Sequence, residues 1–312
     1  MLKISGNPTQ QQIELQQVAT DLESGKLLMN AMLLFRLLAK YEPALLATGK
    51  YSNSAAIING QKWLTIALFY LLYANLLSTH KAQINFDTVM TTLQSPNGQD
   101  LANILKLLTK SNLLPQDAPD RAQANFDAII TILKTQYGNH LIKIFGLITP
   151  STNLLSANTP DRTQANFESI TAILNGQNAA HLYVVLYFLK QSTLLSASNA
   201  QSNFDAVIHL LNRPDGQYLA SILTGLIQAG LLPTSAPAEA QTNFQAVMEC
   251  SNLAFLHEEL TTHDKSAAQY QSVLSSMKRF SLFPSTISSA DRTPASQAAA
   301  STPAAPSSTH SA

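Results

Sequence analysis

Groups able to do acid–base, nucleophilic or metal chemistry are few and scattered along this chain. Its histidines, His80, His140, His181, His209, His257, His263 and His310, form no metal signature. A helical zinc site sets two imidazoles four residues apart with a carboxylate between them, as in His-Glu-x-x-His, and that string is absent. Histidines and acids cluster only at His257-Glu258-Glu259 and His263-Asp264. The six-residue interval of that cluster does not share a helix face well, so a solvated polar helix is expected there. The single cysteine, Cys250, excludes an intrachain disulfide framework, has no recognisable histidine partner and reads as a buried or idle thiol. Gly98-Gln99-Asp100 and Gly216-Gln217-Tyr218 lack the Gly-Lys-Ser/Thr ending of a phosphate loop, and no Gly-x-Ser-x-Gly elbow occurs. No catalytic residue, metal ligand or cofactor is expected.

The polar groups that do recur in a pattern are amides. Gln-x-Asn-Phe occurs at Gln83–Phe86, Gln123–Phe126, Gln164–Phe167, Gln201–Phe204 and Gln241–Phe244. On a helix, the apolar partners three, four and seven residues after each Phe lie within about 60° of it, while the Asn sits roughly 100° away on a flank. Asn85, Asn125, Asn166, Asn203 and Asn243 would then form a ladder along successive helices. An amide both donates and accepts, so a ladder of them could hold an extended peptide by its backbone, and these five are the candidate partner-binding residues. The competing expectation is that Gln and Asn satisfy backbone groups in the loop after each Leu-Leu pair and lock neighbouring hairpins together.

These amides are positioned by an internal repeat. The phenylalanines Phe86, Phe126, Phe167, Phe204 and Phe244 stand 37–41 residues apart and are the expected repeat core. Each unit adds a glycine turn (Gly98, Gly138, Gly176, Gly216) and ends in a double leucine, from Leu76-Leu77 through Leu113-Leu114, Leu154-Leu155 and Leu194-Leu195 to Leu231-Leu232. Ala122, Phe126, Ile129, Ile130 and Leu133 form one apolar stripe at helical period, and Leu141, Ile144, Phe145 and Ile148 form a second after Gly138. Thr159-Pro160 and Ser235-Ala236-Pro237 offer a capping hydroxyl and a proline where helices begin. Residues 80–250 hold no sustained alternation of period two, so no strand is expected.

The fold class predicted is all-α, an α-solenoid or curved array of about seven antiparallel helical hairpins of 37–41 residues. The repeat domain spans 1–284, with degenerate units over 7–50 and 51–78 and regular units over about 79–284. Residues 285–312 are Ser, Thr, Ala and Pro with little charge, which predicts a disordered tail. Charged residues make up 12% of the 312, about half the usual fraction, and Lys+Arg and Asp+Glu number 19 each. With a zero balance and no basic block, nucleic acid is not an expected partner. Trp63–Leu77 is strongly apolar and aromatic, but it is shorter than the ~20 residues that cross a bilayer and is expected to be a core helix of the array. Met1–Gly6 runs straight into polar residues, so no cleavable signal peptide is expected.

The Leu-Leu…Gln-x-Asn-Phe-Asp-Ala cadence over about residues 76–250 resembles helical repeats in large proteins of intracellular bacteria, several of them candidate type IV secretion effectors. The resemblance implies a protein held in the bacterial cytoplasm before export and acting in host cytosol by binding a host protein. It brings no catalytic residues, and the small polar carboxyl end is similar to the secretion signals of such effectors. The expected function is a non-enzymatic protein- or peptide-binding scaffold. The alternatives are a membrane-associated protein using the aromatic face from Trp63 to Tyr73, and an enzyme with no recognisable motif.

Overall fold

The computed structural model describes residues 62–78, 80–95, 98–149, 152–196, 198–261 and 267–281. The degenerate unit expected over 7–50, the start of that over 51–78, the tail expected over 285–312, and His263, Asp264 and His310 lie outside the described residues.

Among the described residues every regular element is helical, as the periodicity predicts. The helices are α1 (Lys62–Tyr73), α2 (Ala82–Leu93), α3 (Gly98–Lys110), α4 (Pro119–Leu133), α5 (Gly138–Ile148), α6 (Pro160–Leu174), α7 (Ala179–Gln191), α8 (Ala200–Leu211), α9 (Leu219–Gln228), α10 (Pro237–Met248), α11 (Leu253–Thr261) and α12 (Ala267–Ser281), with a 3₁₀ turn at Gly216–Tyr218. Even-numbered helices pack on one another in chain order from α2 to α12, and odd-numbered helices do the same from α1 to α11. Within units, α2 meets α3, α4 meets α5, and α6 meets α7. These contacts make two rows of helices with one apolar layer between them.

That layer is built from the repeat landmarks. Phe126, Phe167, Phe204 and Phe244 are at most 1% exposed and Phe86 is 3% exposed. Burying each contributes roughly 2–3 kcal/mol relative to leaving it in water. Both stripes of the third unit, Ala122–Leu133 and Leu141–Ile148, face inward, and all five Leu-Leu pairs are buried. Helix α1 is buried almost all round, with Leu64, Leu68, Phe69, Leu71 and Leu72 at 0–1% and Trp63 and Tyr73 partly covered. No described helix is long and apolar enough to cross a membrane.

Helix starts differ from expectation in one respect. Pro160 and Pro237 occupy the first helical turn as predicted, and Pro119 does the same, but no hydroxyl caps these helices. The residue at the cap is Ala118, Thr159 or Ala236, and Thr159 turns its hydroxyl back to the Ser156 carbonyl at 3.5 Å. The glycine turns also divide. A Cβ at Gly98 would come within 2.4 Å of the Leu93 carbonyl oxygen, and one at Gly216 within 2.5 Å of that of Leu210. Gly176 has no such constraint and lies three residues earlier in its unit, where buried Ala179 opens the second helix instead.

Each Leu-Leu pair is preceded by a residue in the left-handed region: Asn75, Asn112, Asn153, Thr193 and Gly230, with φ of 58°, 55°, 55°, 58° and 72°. This is the reversal that ends the second helix of a unit. In four units the first leucine N–H then reaches back to a carbonyl five residues earlier, as from Leu194 to Leu189 at 2.8 Å. Thr193 is the only β-branched residue at this position, where its side chain crowds the backbone. Thr193→Gly is expected to raise stability by about 1 kcal/mol in urea titration, and Gly230→Ala to lower it by a similar amount.

Candidate functional site

The amides predicted to bind a partner are placed inside the stack. Asn85, Asn125, Asn166 and Asn203 are 1–3% exposed, and Asn243 is half-buried. In each of the five, Nδ2 donates to the carbonyl of the first leucine of the preceding pair: Leu76, Leu113, Leu154, Leu194 and Leu231, at 2.7–2.8 Å. In the first four, the second Nδ2 hydrogen goes to the Gln of the next unit. Asn85 donates to Gln123 Oε1, Asn125 to Gln164, Asn166 to Gln201 and Asn203 to Gln241, at 2.8–3.0 Å. The glutamine Nε2 returns the bond to the asparagine Oδ1 at 2.8–2.9 Å, closing a two-bond amide ring across every junction.

The spare Nε2 hydrogen is used as well. Gln123, Gln164 and Gln201 donate it to Asp127, Glu168 and Asp205, four residues on, at 2.7–2.9 Å, and Gln83 makes the same bond to Asp87. Both amides of the pairs Asn85–Gln123, Asn125–Gln164 and Asn166–Gln201 are therefore saturated on the donor side, and burial without that pairing would cost about 1–3 kcal/mol per group. The partner-binding expectation for these asparagines is corrected on this geometry. The flank of the helix on which they sit faces the next helix of the row and not a peptide, so the amides lock hairpin to hairpin. Asn243 ends the series, with no glutamine of a following unit bonded to it among the described residues.

A second set of stitches joins the other ends of the hairpins and has no repeating signature. Asn178 donates to the carbonyls of Leu211 at 2.7 Å and Arg213 at 3.3 Å in the next unit. Arg213 grips Asp215 through Nε and Nη2 at 2.9 and 2.7 Å, and donates onward to the carbonyls of Cys250 and Ser251. Asp215 accepts the Leu253 N–H at 2.8 Å, serving as a cap for α11 from another unit. Burial opposes the charge on Asp215, but hydrogen bonds from Arg213 and Leu253 and the guanidinium charge outweigh it and hold the pKa below the usual carboxylate value. A depressed carboxylate pKa stabilises the fold above its unfolded value and loses that contribution as pH falls through the folded value. The stability gap between the native chain and Asp215→Asn, measured by urea titration, is therefore expected to narrow as pH falls below about 5 and on through the ordinary carboxylate range.

The other candidates for chemistry are dispersed. Cys250 is 5% exposed, and burial pushes its thiol above the ordinary range. His257 stacks on Tyr218 with ring centroids 5.0 Å apart, and Glu258 beside it is exposed. No group of three or more His, Cys, Asp or Glu side chains that could hold a metal occurs among the described residues. A shallow open groove of about 270 Å³ between α2 and α4 is lined by Ile84, Asp87, Thr88, Thr91 and Lys134, and pairs one carboxylate with one ammonium.

The outer faces of the two rows differ. Helices α2, α4, α6, α8 and α10 hold Asp87, Asp120, Asp127, Asp161, Glu168, Asp205 and Glu239 against Arg121 and Arg162. Ion pairs Lys81–Asp127 at 3.1 Å and Arg162–Asp205 at 4.0 Å tie neighbouring units along this row. Helices α3, α5, α7 and α9 reverse the balance, with Lys106, Lys110, Lys143 and Lys190 against Asp100, whereas α11 at the end of that row carries Glu258 and Glu259. Sequence reasoning missed this segregation, which the zero net charge conceals. No protein-family model, characterised protein or solved structure matches the chain.

Proposed function

We propose that the chain is a non-enzymatic protein-binding scaffold, an α-solenoid whose outer helix faces present side chains to a protein or peptide. The observation that supports it best is the amide ladder. A reciprocally hydrogen-bonded Asn–Gln pair at each of four junctions sets the spacing and tilt of successive hairpins, so surface groups on neighbouring helices are held in place before any partner arrives. Such pre-organisation lowers the ordering cost of association. Long continuous faces suit partner recognition better than a small reaction cavity does.

The resemblance to repeats of bacterial effector candidates extends the proposal to its setting, an exported protein acting in host cytosol. The membrane reading draws less support, because Phe69 is 1% exposed and Trp63 and Tyr73 pack against the core. Affinity retention from host-cell cytosol on the full chain, followed by calorimetry with the purified retained protein, tests the proposal. Saturable binding at micromolar Kd or tighter supports it. Failure of every retained protein to bind in purified form contradicts it.

A further inference from the structure

The odd-numbered row carries a surface with the composition of a recognition site. On α5 and α7 a run of rings lies side by side. His140 stands 5.6 Å from Tyr183, and Tyr183 stands 6.1 Å from Tyr187, centroid to centroid. Tyr187 is 38% exposed, one of few large hydrophobic side chains left in water among the described residues. The Lys143 ammonium sits 5.4 Å from the Tyr183 ring centroid. Lys106 on the adjacent α3 and Lys190 on α7 add positive charge, and among the described residues none of the three lysines is in a salt bridge, although Asp100 of α3 lies near enough to feel the Lys143 charge. Lys190 donates only to the Leu147 carbonyl, at 3.1 Å. That bond ties α7 to α5, whereas no hydrogen bond or salt bridge engages the Lys106 or Lys143 ammonium among the described residues.

Aromatic side chains are enriched at interface cores, and ammonium groups around them select partners of opposite sign. We infer that the outer face of α3, α5 and α7 binds an acidic protein segment, one that sets Asp or Glu against Lys106, Lys143 and Lys190 and an aliphatic or aromatic side chain against Tyr183 and Tyr187. This rests on the scaffold reading and names the face and the partner chemistry. An anionic bilayer is the weaker fit, because three lysines supply only about 1 kcal/mol each at a charged membrane.

The test pans a displayed library of random 12-residue peptides on the full chain, with phosphatidylserine vesicles and a single-stranded RNA oligonucleotide as parallel probes. Enriched peptides are expected to be acidic and to contain Leu, Phe, Tyr or Trp. Their Kd is expected to rise about tenfold or more in Lys106→Glu/Lys143→Glu and in Tyr187→Ala, and to stay within about twofold in Glu239→Lys on the opposite row. All of these positions are on the surface, and circular dichroism melts verify that the variants fold. Enriched peptides with no acidic bias, or ones indifferent to the lysine and tyrosine changes, overturn the face assignment and leave the scaffold reading standing. Vesicles or RNA held through these lysines in place of any peptide overturn it in favour of that ligand. Enrichment of no peptide, with no binding of vesicles or RNA, overturns both.

Discussion

Replacing Asn125, Asn166 and Asn203 together by Ser is expected to remove about 6 kcal/mol of stability, roughly 2 kcal/mol at each site. That is comparable with the whole folding free energy of an ordinary domain, so the triple variant should be largely unfolded or close to its midpoint without denaturant. Serine is too short to reach both the leucine carbonyl and the glutamine of the next unit. Each replacement leaves Leu113, Leu154 or Leu194 with an unbonded carbonyl, and strips half-buried Gln164, Gln201 or Gln241 of its amide partner. The same exchange at exposed Asn139 and Asn212 should cost less than about 0.5 kcal/mol per site. Urea titration of the three chains checks the expectation. A loss under about 1 kcal/mol in the triple variant would mean that the amides do not hold the hairpins together.

Phe167→Ala is the single substitution expected to cost most, about 4 kcal/mol, against about 1 kcal/mol for Phe167→Leu. Phe167 is 1% exposed, and its ring lies 6.3 Å from that of Phe145 on the partner helix of the preceding unit. The alanine leaves a cavity between two rows whose backbones are stitched at both ends of the hairpin, so neither row can collapse to fill it. Because units touch chiefly their neighbours in the row, the loss should also be local. Backbone amide exchange is expected to accelerate first in α6 and in α4 and α8 beside it, and last in α1. Uniform acceleration along the chain would show that the rows melt as one body.

The repeat core was legible in the sequence because burial on a helix repeats every three to four residues and leaves a written stripe. Phe86 to Phe244, the Leu-Leu pairs and the helical character of every described element follow from that period alone. The asparagines were placed correctly on the helix, and of the two roles open to them there the structure shows the bonds of the inter-hairpin lock. A position 100° from the stripe is a surface position on an isolated hairpin and an interface position in a stack, and angle alone does not separate the two. An acid, Asp87, Asp127, Glu168 or Asp205, follows four of the five phenylalanines. Its four-residue interval from the Gln is the spacing of a side-chain bond on one helix face, and that signal was available.

The left-handed residues were also visible, since Asn, Asn, Asn, Thr and Gly precede the five Leu-Leu pairs, and Asn and Gly are the residues that accept this conformation. The Arg213–Asp215 clamp and the ring run of His140, Tyr183 and Tyr187 were not visible. Each is assembled across units from repeat positions that hold other residue types elsewhere, so no periodicity marks it.

The central claim is that each asparagine Nδ2 hydrogen at an internal junction is bonded inside the protein. Side-chain amide hydrogen exchange, read by NMR on ¹⁵N-labelled protein, tests it directly. Both Nδ2 hydrogens of Asn85, Asn125, Asn166 and Asn203 are expected to exchange at least about a hundredfold more slowly than those of exposed Asn139 and Asn212, and those of half-buried Asn243 at an intermediate rate. Exchange of the four at the rate of Asn139 would contradict the locked stack.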